Sequence, residues 1–275
     1  MGKKLSIITV NRNNAAGLRK TAGSVICQVF RDFEFIIIDG ASEDDSQDVI
    51  REHSSHLSYW VSEPDSGTYN AMNKGIRKAT GEYSLFLNSG DYLLDNSVLE
   101  KVFSKELNAD IVSGNVLKIR PNNKFRRVTS PEKVSLHKLC IHSLPHQASF
   151  IRTALFHEIG YYTETYRIAA DWEFFLKALI INKKSYSHID SDISYFKLGG
   201  ISSSEANFRL AREESHDILR RLFPDMEEDL MEYRLFYNSD LGQIITLLKN
   251  RPRLYNFTGW LSAFILRNKK KLAGK

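Results

Sequence analysis

The run Tyr83-Ser84-Leu85-Phe86-Leu87-Asn88-Ser89-Gly90-Asp91 carries an apolar strand into a polar turn that closes on a carboxylate. In an open parallel sheet, ligands gather at the carboxyl ends of the strands, so Asp91 stands where chemistry is expected. Three more apolar runs empty into polar turns: Asn11-Arg12-Asn13-Asn14, Asp39-Gly40-Ala41-Ser42 and Glu63-Pro64-Asp65-Ser66-Gly67. Four such turns at one end of a sheet build one cleft. Helices that begin after them aim free N–H groups into it and favour an anionic ligand such as a diphosphate. A further carboxylate, Asp171, opens an amphipathic segment. That position suits a general base held at a cleft mouth, and it equally suits a simple N-terminal cap.

The elements that must position these residues are legible in the spacing. Apolar runs Leu5–Val10, Phe35–Ile38, Leu57–Val61, Tyr83–Leu87 and Ile111–Val112 alternate with helical patterns over Ala15–Val29 and Tyr69–Ala79. This rhythm predicts an α/β fold with a mostly parallel central sheet and helices on both faces. From 114 to 200 the pattern is less regular, with strands expected at Val116–Ile119, Phe125–Val128, Ala148–Ile151 and Tyr186–Ile189. One helix is clear over Asp171–Ile181, where Trp172, Phe175, Leu176 and Leu179 recur at helical spacing. The remainder, 204–275, reads as a helical extension.

The totals exclude several classes. With 275 residues, 42% of them hydrophobic, the chain can bury a substantial core. Cys27 and Cys140 have no metal-ligand or redox spacing, so a reducing compartment fits. The apolar run after Met1-Gly2-Lys3-Lys4 is too short for a signal peptide, and no window matches a membrane span. A cytoplasmic protein is expected, or one peripheral on the inner face of the cell membrane. The net charge of +5 is concentrated near the end, in Arg267, Lys269, Lys270, Lys271 and Lys275, which makes nucleic acid a minor option. The first strand is not followed by G-x-G-x-x-G, and neither a phosphate-binding G-x-x-x-x-G-K-[ST] nor a G-x-S-x-G elbow is present.

Five motifs, taken together and in order, resemble family 2 glycosyltransferases of the GT-A fold: Ser6-Ile7-Ile8-Thr9-Val10, Ile36-Ile37-Ile38-Asp39-Gly40, the run Glu63 to Gly75, Phe86-Leu87-Asn88-Ser89-Gly90-Asp91, and Ala170-Asp171-Trp172-Glu173. The resemblance covers roughly residues 5 to 202. It is closest to the bacterial branch that builds surface and extracellular polysaccharides, such as colanic-acid-type enzymes. It implies a GT-A catalytic domain over 1–203, with a nucleotide-sugar half at 1–113 and an acceptor-side half at 114–203. The implied reaction moves a sugar, with inversion, from a nucleotide-sugar (a UDP-sugar) to a saccharide acceptor carried on a lipid.

Roles for single residues follow from that resemblance. Asp39, an acceptor-only side chain, is expected to take the imide N–H of uracil, with Thr9 and Asn11 lining the base pocket; a turn aspartate bonding its own backbone is the plainer alternative. Asp65, Asn73 and Lys74 are expected toward diphosphate or ribose, although Lys74 also reads as a solvated helix charge. Many relatives have an arginine where this chain has Met72. Asp91 is expected to hold Mg²⁺ or Mn²⁺ against the leaving diphosphate, with Asn88 and Ser89 at the ribose. Where many relatives read Asp-Ala-Asp-Asp, this chain keeps one acid, which predicts weak metal affinity, or ribose contacts from backbone rather than side chain. Asp171 is the expected general base, with Glu173 as its backup on a diverging helix direction. His146-Gln147 and Gly199-Gly200-Ile201-Ser202 resemble acceptor-side segments. The tail 251–275, aromatic with a basic end, suits a membrane-surface helix, or else packing on the protein's own core or in a homodimer. The rival to an enzyme is a catalytically silent sugar-nucleotide-binding or assembly protein of the same fold.

Overall fold

A computed structural model describes residues 2–119, 125–197, 205–249 and 256. The Gly199–Ser202 segment and, Asn256 aside, the tail 251–275 lie outside the described residues. The chain forms two compact units, Met1–Leu222 and Phe223–Lys275.

In the first unit, β1 (Leu5–Asn11), β2 (Phe33–Asp39), β3 (Tyr59–Ser62) and β4 (Tyr83–Phe86) pair in parallel in the order β3-β2-β1-β4. Between them run α1 (Ala15–Ile26), α2 (Ser46–Glu52) and α3 (Thr68–Ile76). The continuous apolar sequence of β1 reflects a strand buried on both faces. One face packs Leu5, Ile7, Phe35, Ile37 and Leu85 against Leu18, Ala22 and Val25 of α1. On the other face, Gly75 lets α3 lie directly on the sheet, since a Cβ there would sit 2.5 Å from Ile8 and 3.5 Å from Ile38.

Beyond β4 the sheet continues through β8 (Ser149–Arg152), β6 (Ile111–Ile119), β9 (Tyr186–Lys197) and β5 (Tyr92–Leu93), with β7 (Phe125–Val128) on β6. β8 is antiparallel to both β4 and β6, and β9 is parallel to β6. Strands β6 and β9 therefore run in the same sense as β1 to β4, and their carboxyl ends share the end of the sheet that carries the four polar turns.

The structure changes several predicted boundaries. Ile111–Val112 and Val116–Ile119 are one strand, and β9 extends well past Ile189. The β6–β9 register shifts on both sides of Asn115, and the polar Ser113-Gly114-Asn115 stretch there hid the continuity. The helix over Asp171–Ile181 is α-helical in α7 (Ala170–Phe175) and continues as a π-helix over Leu176–Ile181. Four short helices that periodicity did not reveal, α2, α4 (Val98–Phe103), α5 (Leu136–Ile141) and α6 (Ala154–Glu158), have two turns or fewer.

The division drawn at 203/204 falls before α8 (Glu205–Leu222), whereas the compact units divide after it. The reason is electrostatic as well as apolar. Glu214 of α8 accepts the backbone N–H groups of Arg167, Ile168 and Ala169 at 2.7, 3.0 and 2.9 Å. Arg221 pairs with buried Glu173, and Asp217 accepts the Tyr166 hydroxyl. The second unit holds α9 (Glu227–Asn238) and α10 (Asp240–Lys249).

Candidate active site

The floor of the cleft is a set of loops laced together by one asparagine-rich turn. Asn11 and Asp39 are register partners at the ends of β1 and β2, and Ser62 of β3 faces Asp39. Asn13 contributes its backbone N–H to Ser42 Oγ at 2.8 Å and its side-chain oxygen to the Glu43 N–H at 2.8 Å. Asn14 donates to the Ser89 carbonyl at 3.0 Å and caps α1 by accepting from the Gly17 N–H at 3.1 Å. Among the described residues, Asn13 and Ala41 are two of the three non-glycine residues with positive φ, at 49° and 55°. Such backbone is costly and concentrates where loops are held to a purpose.

Asp39 is fully buried and fully bonded. Its Oδ1 accepts from Asn11 Nδ2 at 2.7 Å and Ser42 Oγ at 2.6 Å; its Oδ2 accepts from the Ser42 N–H at 2.9 Å and Ser62 Oγ at 2.7 Å. Four donors use the lone-pair capacity of a carboxylate. The turn-stabilising alternative is thus what the ligand-free protein displays, and a base contact requires the Ser42 or Ser62 hydroxyl to rotate away. Thr9 Oγ1, Asn11 Oδ1 and Asn88 Oδ1 are buried without a hydrogen-bond partner.

Asp65 accepts the Gly67 N–H at 3.0 Å and leans over Gly40, where a Cβ would meet its Oδ2 at 2.2 Å. A side chain at position 40 would displace the Asp65 carboxylate from this place. Asn73 does not open toward a donor site: its Nδ2 donates to the Tyr162 carbonyl at 2.9 Å and Glu164 Oε1 at 2.8 Å, while its Oδ1 accepts the Tyr162 N–H at 3.0 Å. Lys74 is held by Glu63 at 2.7 Å and the Pro64 carbonyl at 2.9 Å, tying the preceding turn to α3. Asn70 also reaches Glu164, at 2.7 Å. One face of α3 is thus a clamp on the segment 162–171.

That clamp ends on Asp171. Tyr69 Oη lies 3.0 Å from Asp171 Oδ1 and 2.7 Å from the Ile168 carbonyl. The Trp172 N–H donates to the same Oδ1 at 2.9 Å, and His146 Nδ1 lies 3.1 Å from Oδ2. Both partners of the His146–Asp171 contact keep some access, with side chains 17% and 14% exposed. His146 Nε2 is buried without a partner. Burial alone would depress this imidazole, but the Asp171 bond and the charges of Asp171 and Asp91 outweigh it and hold the group above its usual value. Burial, then the Asp171 charge, holds the Tyr69 and Tyr162 phenols well above theirs, so both stay protonated.

Asp91 approaches His146 from the other half of the sheet, close enough for the two charges to act on each other. Only 6% exposed, its carboxyl is pushed up to about 7 by burial, against the opposing pull of His146, the Gln147 side chain and the Asn88 backbone. Among the described residues no group of three or more His, Cys, Asp or Glu side chains is arranged to hold a metal. The donor set fits a hard cation that arrives on a diphosphate and takes one protein carboxylate, and does not fit one caged by protein alone.

Glu173 is not a substitute base. It is 1% exposed and paired with Arg221 and, at 2.8 Å, with Lys177, on the side of α7 that faces α8. Sequence reasoning missed Tyr69 and Glu214, and it gave His146 no partner. The signal for Tyr69 was present in the polar positions 69, 70 and 73, which share one side of α3 while Ala71, Met72, Gly75 and Ile76 are apolar. Glu214 lies beyond the motif-bearing region and gave none.

Residues 6–168 match the family model "Glycosyl transferase family 2", which ends just before Asp171. A PGL/p-HBAD biosynthesis glycosyltransferase of Mycobacterium bovis is 31% identical over 209 residues, covering 72% of this chain and 79% of that protein. Among solved structures, Staphylococcus aureus TarS 1-349 in complex with UDP-GlcNAc superposes with a TM-score of 0.66 at 20% identity, over 86% of this chain and 73% of that one. A mannosyltransferase from Pyrobaculum calidifontis, in complex with GDP-Man and Mn²⁺, gives 0.64 at 14% identity, over 97% and 81%. These likenesses establish the GT-A type of fold.

Proposed function

The chain belongs to glycosyl transferase family 2, and on that premise we propose that it transfers a sugar with inversion from a UDP-sugar to a saccharide acceptor carried on a lipid, in the synthesis of a surface or extracellular polysaccharide. The observation that carries this reading is that His146 bonds Asp171 and lies within electrostatic reach of Asp91, two carboxylates from opposite halves of the chain. Names of similar proteins support the substrate classes: one neighbour holds UDP-GlcNAc, and one relative is named for PGL/p-HBAD biosynthesis.

Asp171 is placed to take the proton of the attacking hydroxyl. Its carboxylate accepts from Tyr69, Trp172 and His146, which leaves room on Oδ2 for one more donor. The Tyr69 hydroxyl has a single proton and two neighbours, the Ile168 carbonyl and Asp171. It donates to Asp171 while that group is ionised, and it can turn to the carbonyl once the proton has arrived. His146 fixes the other oxygen, and Glu214 anchors the backbone that leads into α7. Mg²⁺ or Mn²⁺ held by Asp91 would neutralise the departing diphosphate.

No helix among the described residues is long and apolar enough to cross a membrane. We place the enzyme at the cytoplasmic face, with the aromatic and basic residues of 251–275 as the membrane contact and a homodimer as the alternative.

The test is UDP release from UDP-GlcNAc and other UDP-sugars, with and without Mn²⁺. Asp171→Asn is expected to lower turnover by about 10²–10⁴-fold, the usual weight of a general base, with the circular dichroism spectrum unchanged. Asp91→Ala should abolish any dependence on the cation. The lone acid of the 88–91 turn favours the second reading, a silent sugar-nucleotide-binding protein; UDP binding without release from any donor would establish that reading instead.

A further inference from the structure

We propose that the carboxyl ends of β6 and β9 form a second anion site, built on Lys118 and Arg126 beside Phe196, that holds a phosphate or diphosphate ester of the acceptor. Lys118 is the register partner of Arg126 on β7 and of Phe196 on β9, so the three side chains stand on one face of the sheet. The Lys118 ammonium lies 5.5 Å from the centre of the Phe196 ring. Lys118 is half-buried, and among the described residues neither it nor Arg126 has a carboxylate partner. The neighbouring Arg127 engages both nearby acids, Asp190 and Asp192, at 2.6 Å each.

No counter-charge is close in sequence either. The segments 120–124 and 198–204 contain no Asp or Glu. Burial, then the charge of Arg126, depresses the Lys118 ammonium below its usual value. A partly desolvated cation beside a second cation is a cost that the ligand-free fold bears, and an anion between the two removes it. Arginine and lysine side by side are the usual receptors for phosphate oxygens. An adjacent ring offers an apolar flank for whatever the ester carries.

The position suits an acceptor. These strands run in the same sense as β1 to β4, so Lys118 opens at the cleft end of the sheet. It lies two strands from β4, about 10 Å sideways at ordinary strand spacing, and seven residues further along its strand than Ile111, which shares Ile151 as a partner with Ser84 of β4. Ser194, two residues before Phe196, bonds the carbonyl of Gln147 at 2.8 Å, which ties the site to the His146 segment. Calling the ligand an acceptor rests on the transferase reading; the anion site itself does not.

The experiment is isothermal titration of the full chain, saturated with UDP, with inorganic pyrophosphate and separately with geranyl diphosphate. Wild type is expected to bind both, and Lys118→Gln/Arg126→Gln to lose at least tenfold for each, with UDP affinity unchanged. Tighter binding of geranyl diphosphate identifies a lipid ester, and equal binding identifies the phosphate group alone; both outcomes support the site. Undiminished pyrophosphate binding in the double variant overturns it, as does a parallel loss of UDP affinity, which would assign the pair to the donor. A second readout needs no ligand: Lys118→Met should raise the melting temperature, and a fall would show the ammonium to be satisfied in the free fold. A chain that binds pyrophosphate through this pair yet neither binds nor releases UDP would sink the transferase reading and leave the anion site standing.

Discussion

Replacing Asp91 by asparagine should stabilise the ligand-free protein, and increasingly so as pH rises. The carboxyl is moved from 3.8 to about 7 by burial, so the folded chain holds this proton more tightly than the unfolded chain does. Stability from this group is therefore intact below 3.8, falls as pH climbs through the interval, and is fully lost above about 7. At about 1.4 kcal/mol for each pH unit, the ionised group costs the fold at most about 4 kcal/mol near pH 8, and about 2.5 kcal/mol of that accumulates between pH 5 and pH 8. Asparagine carries no charge and escapes the whole of it. For a chain of this size, each kcal/mol moves the melting temperature by roughly 2–4 °C. The gap between Asp91→Asn and wild type is thus expected to widen by on the order of 5 °C or more across that range. Differential scanning fluorimetry in chelator-treated buffers reads this directly, and most other titrating groups cancel in the difference. A gap that stays flat, or that narrows toward pH 8, refutes the claim that Asp91 is a desolvated carboxylate awaiting a cation.

Three further substitutions probe the supports of the base. Tyr69→Phe removes a donor to ionised Asp171, a charge-assisted bond of about 1.5–3 kcal/mol. Turnover should fall by about tenfold or more, with KM unchanged; undiminished turnover would reduce Tyr69 to packing. Asn73→Ala breaks the bonds to Tyr162 and Glu164 and should cost about 2–3 kcal/mol in urea denaturation. UDP affinity should not change, whereas its loss would restore Asn73 to the donor site. Glu214→Ala leaves the N–H groups of Arg167, Ile168 and Ala169 without their acceptor. It should lower turnover far more than it weakens UDP binding, and a UDP-binding defect of the same size would contradict a role confined to the base.

The parallel half of the fold was legible because β1, β2 and β4 are buried on both faces and end in turn residues, so the apolar runs Leu5–Val10 and Phe35–Ile38 mark the first two of them. What escaped were elements too short to show a period, such as α5, and the join of Ile111–Ile119 across small polar residues. Within the site, the acids at 39, 91 and 171 were visible as turn or cap residues. Their partners were not, because Tyr69, His146 and Glu214 act across distances in sequence that no local pattern encodes. Asn73 was misplaced for a related reason. A polar helix residue following a cleft turn has the same appearance whether it faces a ligand or, as here, the backbone of a loop from another part of the chain.

The polar groups differ in how far the ligand-free fold satisfies them. Glu173, Asn73, Lys74 and Asp39 have their bonding capacity met from within the protein, and each holds two elements together. Asp91 and Lys118 do not: one is a carboxyl held by burial near neutrality, the other an ammonium depressed beside an arginine. Both lie at the same end of the sheet, and they have opposite signs. A cation that arrives on a nucleotide diphosphate relieves the first, and a phosphate on the acceptor relieves the second. Each substrate would then remove an electrostatic cost that the free protein bears, so binding either one should raise the melting temperature by more than its affinity for an uncharged analogue of the same shape would account for. His146 bonds Asp171 through Nδ1 and is acted on by the charge of Asp91, while its Nε2 is buried without a partner.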